Sequence, residues 1–161
     1  MILGALIIVT LVSLVACQTG SQGAPNLNFT PTPFPEQVGD CLIQPDADCE
    51  GADLSGIDLG STTVGRDDIR DGASLRRMNL KGANLTNARL VETIFEGADF
   101  TNADFTGADL TSAFLYEANF GGANLTNVTM LRADTDKVNF EGAIFCNTTM
   151  SDGTINNEGC P

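Results

Sequence analysis

The chain has 161 residues and a formal net charge of −13, room for one domain and a tether. It contains no His and no Trp. Lack of His removes the commonest general base and metal ligand and excludes a Ser-His-Asp triad, while the acidity opposes nucleic acid as a partner.

Residues 1–16, MILGALIIVTLVSLVA, are nearly all apolar. As a helix this run would span about 24 Å, short of a hydrocarbon core of about 30 Å. It reads as the core of a signal peptide, although no Lys or Arg precedes it. It ends in Leu14-Val15-Ala16-Cys17, which resembles the bacterial lipobox. The resemblance implies a diacylglyceryl group on Cys17 and cleavage before it. The chain is then expected to be an extracytoplasmic, membrane-anchored lipoprotein, at the cell surface or in the periplasm. Residues 17–40 follow as the lipidated Cys and a tether; 18–40 hold four of the six prolines. As a flexible coil the tether would span about 25 Å, and as polyproline II about 70 Å.

The folded domain is expected over 41–161. Asp46, Asp48, Glu50 and Gly51 are similar to the opening of a calcium loop, but Ile57 stands where the closing Glu belongs. A solvated acidic turn is the expectation, and no metal or cofactor is called for. Apolar residues then fall five apart at Leu54, Leu59, Val64 and Ile69, and Leu75 follows after six. This predicts one inserted residue, a bulge or loop around Arg66–Gly72.

From Leu75 the step of five is unbroken to Ile155, and sixteen of the seventeen residues on it are apolar, Thr135 being the exception. Two residues before these centres Ala appears eleven times. A helix cannot use a step of five, which overshoots a turn by roughly 140°. In a strand, residues two apart share one face, so the Ala and the centre point inward together. The two consecutive polar positions left over demand a corner. Two residues after the centre, Gly or Asn occupies ten of seventeen positions, and both tolerate the positive φ of tight corners. Short sides joined by corners make a coil, and stacked coils make an all-β solenoid.

The stretch GADFTNADFTGADLTSAFLYEANFGGANLTN, residues 97–127, resembles the pentapeptide-repeat family, whose signature is A-(D/N)-L-x-x. The resemblance implies a right-handed, four-sided (quadrilateral) β-helix with twenty residues per coil, so Phe100, Phe120 and Phe140 are expected to stack. The ending FCNTTMSDGTINNEGC is similar to endings on other chains of that family and is expected to cap the rod. Some members of the family act as DNA mimics that bind DNA gyrase in the cytoplasm. That is the alternative to the exported reading, and an enzyme with an unrecognised site is a second.

Besides Cys17, four cysteines remain. Separation of the two ends of the rod favours Cys41 with Cys49 and Cys146 with Cys160; free thiols or a four-Cys zinc site are the alternatives. No catalytic residue is expected. The carboxylates of Asp99, Asp104 and Asp109 sit at regular outward positions and are explained by the repeat. The sequons at Asn84, Asn124 and Asn127 are generated by the repeat as well. One side breaks the polar pattern: Ile94, Phe114 and Tyr116 point outward, with Val91 and Leu131 around the adjoining corner. These five are expected to form a face for a protein partner or for homodimerisation.

Overall fold

The computed structural model describes residues 37–60 and 74–160. The leader, Cys17, most of the tether, Val64, Ile69 and Arg66–Gly72 lie outside the described residues. Among the described residues there is no helix, and so none long and apolar enough to cross a membrane.

The residue before each centre pairs in parallel with the residue twenty further on: Ser74 with Ile94, Asn79 with Asp99, Asn84 with Asp104, Arg89 with Asp109. The next bridge in chain order, Ile94 with Phe114, returns to the first ladder, so one coil has four sides. Hydrogen bonds run along the rod. The amide of Leu75 donates to the carbonyl of Ile94 at 2.7 Å, and the amide of Asp99 donates back to Met78 at 3.0 Å. We number the walls by their centres. Wall 1 carries Cys49, Leu80, Phe100, Phe120 and Phe140, and wall 2 carries Leu54, Leu85, Phe105, Leu125 and Phe145. Wall 3 carries Leu59, Leu90, Leu110, Met130 and Met150, and wall 4 carries Leu75, Phe95, Leu115 and Thr135.

Every centre from Leu75 to Met130 is buried, and so are the inward Ala residues from Ala83 to Ala133. The Phe120 ring lies 4.7 Å from Phe100 and 5.6 Å from Phe140. Two inward positions hold Thr instead of Ala, and each hydroxyl finds a carbonyl. Thr93 donates to Leu59 at 3.1 Å and Thr148 to Leu125 at 2.6 Å, so neither polar group is buried unpaired.

Corners close by a bond from the inward amide to the preceding centre, as from Ala83 to Leu80 at 3.1 Å. The residue before that amide has a positive φ, between 53° and 73° at every corner from Arg77 to Asn147. The geometry therefore holds even where the sequence offers no Gly or Asn.

The early register differs from the sequence expectation. Asp48, Asp53 and Asp58 pair with Asn79, Asn84 and Arg89, an offset of 31 in place of 20. Between Leu59 and Leu75 the chain thus carries 31 − 20 = 11 extra residues, not one. Leu54 lies under Leu85 on wall 2, Cys49 is itself a centre under Leu80, and the insertion leaves wall 3 at Gly60 and re-enters wall 4 at Ser74. Ile155 is a second correction. It is 52% exposed and belongs to a terminal hairpin, because the coil is not continued past Met150.

Both ends are closed by hairpins. At the start β1 (Gln37–Val38) pairs with β2 (Cys41–Leu42), and Cys41 is bonded to Cys49. At the far end β3 (Thr148–Thr149) pairs with β4 (Ile155–Asn156), and Cys146 is bonded to Cys160. The amide of Phe145 donates to Glu158 at 2.8 Å, so this hairpin supplies part of the missing next coil.

Three outcomes follow. Phe120→Ala should cost about 3–5 kcal/mol in denaturant unfolding, against well under about 1 kcal/mol for Thr126→Ala, one residue past the centre Leu125. Equal losses would mean that the inward phase is wrong. Glu92→Gly should stabilise the rod by about 1 kcal/mol, because Glu92 holds φ 60° where an L side chain is strained; a lower melting temperature would contradict this. The disulfides span separations of only 8 and 14 residues, so each bridge should contribute about 2–3 kcal/mol. Non-reducing peptide mapping of the purified chain should recover these two pairs, and a crossed pair or four free thiols would reject them.

Candidate docking wall

Walls 1 and 2 are bonded polar ladders, save that wall 2 ends in the exposed Ile144. On wall 1 Asn79 donates to Asp48 at 2.8 Å, Lys81 reaches Asp99 at 3.2 Å, and Asn139 donates to Asn119 at 2.9 Å. On wall 2 Asn84 donates to Asp53 at 3.0 Å, and Asn124 to the hydroxyl of Thr106 at 3.0 Å. The Asp carboxylates also accept from the amide two residues on, as Asp104 does from Thr106 at 2.9 Å. Their lone pairs serve the turns, which leaves little for chemistry.

Wall 4 is different. Its outward column reads Ser74, Ile94, Phe114, Asp134, and the parallel column reads Arg76, Glu96, Tyr116, Asp136. Ile94 is bridged directly to Phe114, and Phe114 is 44% exposed, far above its buried neighbour Leu115. Tyr116 stands beside Phe114, half-buried. Lys137 from the next coil lies over the Tyr116 ring, 4.7 Å from its centre, and donates to the Tyr116 hydroxyl. That hydroxyl and then the Glu117 carboxylate hold the Lys137 ammonium above its usual range.

The other two expected residues lie apart. Val91 and Leu131 share a column on wall 3, but Thr111 stands between them, and Leu131 packs towards Gly153 of the terminal hairpin. The structure therefore brings Ile94, Phe114 and Tyr116 together, with Val91 across the corner from Ile94, and sets Leu131 against the cap.

Sequence reasoning missed where the strain falls. Among the described residues, every residue with a positive φ that is neither Gly nor Asn sits at a corner flanking wall 4. Glu92, Ser112 and Arg132 stand at one corner, and Asp46, Arg77, Glu117 and Lys137 at the other. Such conformations cost of order 1–3 kcal/mol each and gather where function needs a fixed shape. The other two corners use only Gly and Asn. One strained corner is clamped: Arg77 bonds Asp46 through both carboxylate oxygens, at 2.6 and 2.8 Å. The Arg77 guanidinium holds the Asp46 carboxyl below its usual range.

The acidic residues near the start do not form a calcium loop. Asp46 is paired with Arg77, Asp48 with Asn79, and Gly51 occupies a corner. Beside them a shallow depression of about 310 Å³ is lined by Val38, Asp40 and the Cys41–Cys49 bridge among others. Among the described residues no group of His, Cys, Asp and Glu is placed to hold a metal ion.

A family model described as pentapeptide repeats matches in eight copies, at residues 71–107, 79–115, 103–134 and 115–152. Together these take in residues 71–152, or 82 of the 161. No curated protein matches. Among solved structures the chain is similar to HetL, a pentapeptide repeat protein involved in heterocyst differentiation regulation from the cyanobacterium Nostoc sp. strain PCC 7120. Identity is 24%, over 69% of this chain and 52% of that one, with a TM-score of 0.33. The chain thus spans about half the length of HetL. A pentapeptide repeat protein from the Arabidopsis thaliana thylakoid lumen is 28% identical over 68% of each chain, with a TM-score of 0.31. A trypsin-treated form of QnrB1, a plasmid-mediated fluoroquinolone resistance protein, is 18% identical over 66% of this chain and 61% of that one, with a TM-score of 0.30. The family match, the coil of twenty residues and the four parallel ladders lead to one assignment. The chain belongs to the pentapeptide-repeat family and folds as a right-handed, four-sided β-helix.

Proposed function

We propose that this protein is a lipid-anchored, extracytoplasmic solenoid that binds another protein through wall 4 and catalyses no reaction. The observation that carries the binding role is the Ile94–Phe114 ladder, half-buried at Ile94 and exposed at Phe114, with Tyr116 beside it, set between the two strained corners of the rod. Apolar ladders that break a polar repeat favour docking, because burying them against a partner removes apolar surface from water. Export is supported by the residues Leu14-Val15-Ala16-Cys17 at the end of an apolar run. Two bridges joining local cysteines suit an oxidising compartment. Against catalysis stands the site chemistry: the chain has no His, and the carboxylates of walls 1 and 2 are occupied by turn amides and neighbouring amide groups.

The anchor is tested by metabolic labelling with a tritiated fatty acid, followed by membrane fractionation. Wild type should be labelled and sediment with membranes; Cys17→Ala should lose the label and most of the membrane fraction. Wild-type chain that stays unlabelled in the cytoplasm would overturn the anchor and favour the cytoplasmic DNA mimic, for which the net charge of −13 is the supporting feature.

A further inference from the structure

Wall 4 changes in charge along the rod. Its coils present, in order, Ser74 with Arg76, Ile94 with Glu96, Phe114 with Tyr116, and Asp134 with Asp136. In these two columns a cation stands at one end, carboxylates stand at the other, and the apolar ladder lies between; Arg132 and Lys137 stand at the corners that flank the carboxylates. The Arg76 side chain is 49% exposed and rests on Glu96 at 2.9 Å. Asp134 and Asp136 are exposed, and among the described residues no Lys or Arg is within ion-pair distance of either.

Consider a second copy turned over onto this wall with its rod axis reversed. The two-fold axis then lies across the rod, between the coils of Ile94 and Phe114. This operation keeps each column in place and reverses the order of the coils. Ile94 meets the second copy's Phe114, and Phe114 meets its Ile94. Arg76 meets the second copy's Asp136, and by symmetry the contact occurs at both ends. Glu96 meets the second copy's Tyr116; that hydroxyl accepts from Lys137 and keeps its own proton to donate. The other facing two-fold, parallel to the rod axis, keeps the coils level and exchanges the columns. It sets Asp134 on Asp136 and Ile94 on Glu96, which is like charge on like charge and apolar surface on carboxylate. Charge complementarity selects the reversed arrangement.

We infer that wall 4 docks on a second copy of this chain with the rods antiparallel, through Ile94 and Phe114 at the centre and Arg76–Asp136 pairs at the ends. The inference rests on the reading of wall 4 as the binding face. One wall of a short rod offers less than the roughly 800 Å² per partner of a standard interface, so the pairing is weak in dilute solution. It gains where copies are concentrated on a surface.

The test uses the full chain in detergent micelles. Single variants Arg76→Cys and Asp136→Cys are mixed, concentrated and treated with a short bismaleimide. The mixture should yield a cross-linked dimer on the order of tenfold above either variant alone, a difference worth about 1.4 kcal/mol of positioning. Adding Phe114→Asp to both chains should remove the product while circular dichroism is unchanged, and Ile94→Ser should do the same if the first variant unfolds. In sedimentation, Asp136→Arg should abolish the dimer, and Arg76→Asp with Asp136→Arg in one chain should restore it. No cross-link in the mixture, equal cross-linking by Arg76→Cys alone, or no rescue by the charge swap would overturn the inference. A photoreactive residue replacing Phe114 in cells separates the two failures. If it joins a different protein and never a second copy, the self-docking is wrong while wall 4 remains a binding face. If it joins nothing, both are wrong.

Discussion

The bonds that hold this rod together run along its axis, from each coil to the next, and they form only when each side keeps its five residues in step with the side below, whatever the chain inserts at a corner. The amide of Leu75 finds the carbonyl of Ile94, and the amide of Asp99 finds that of Met78, because twenty residues separate equivalent positions. Everything else follows from this register. Side chains repeat in columns, so a Phe column becomes a stack and an Asp or Asn column becomes a bonded ladder. Extra residues cannot be absorbed within a side. They must leave at a corner and return at the next, as the eleven extra residues do between Gly60 on wall 3 and Ser74 on wall 4. Thr93, one coil on, donates to the carbonyl of Leu59 just before the exit.

The corner is the costly part of such a coil. A five-residue side turns only if one residue adopts a positive φ, and the rod imposes this at every corner from Arg77 to Asn147. Two corner columns meet the demand with Gly and Asn. The two beside wall 4 use Glu92, Ser112 and Arg132 at one corner and Asp46, Arg77, Glu117 and Lys137 with Gly97 at the other, and all but Gly97 bear strain and keep side chains where Gly would have none. Those side chains make contacts: Arg77 clamps the first coil to Asp46, and Lys137 covers Tyr116. Wall 4 therefore combines a departure from the repeat's chemistry with a departure from its easy backbone. Both raise the energy of the isolated rod, and both are consistent with a face kept for an interaction.

The architecture was legible because an apolar step of five and an Ala two residues earlier serve the same inward face, and no helix can satisfy both. The stacking of Phe100, Phe120 and Phe140 was legible for the same reason. The length of the insertion was not. Val64 and Ile69, which lie outside the described residues, continue the apolar step in the sequence and so mask the break. A finer signal was present in the inward column: Thr62 and Asp67 stand two residues before them, and a coil there would bury the Asp67 charge. Ile155 misled in the same way, being apolar and in step beyond the last coil that has a successor. Of the outward apolar residues, Ile94, Phe114 and Tyr116 could be placed together because the ladder keeps columns. Val91 falls across the corner from Ile94 as expected, but Leu131 is separated from it by Thr111, and the fold of the terminal hairpin against Leu131 has no periodic signal. The strain beside wall 4 was invisible, since Glu, Ser, Arg and Lys at a corner look like ordinary surface.

That wall 4 is the working face is tested most directly by oxidative side-chain footprinting of the wild-type chain, once in its native membrane and once purified and dilute. Phe114 and Tyr116 should be oxidised several-fold less in the membrane, while Ile144 on wall 2, which is 41% exposed, should be oxidised equally in both. Equal oxidation of Phe114 and Tyr116 in the two states would contradict the account.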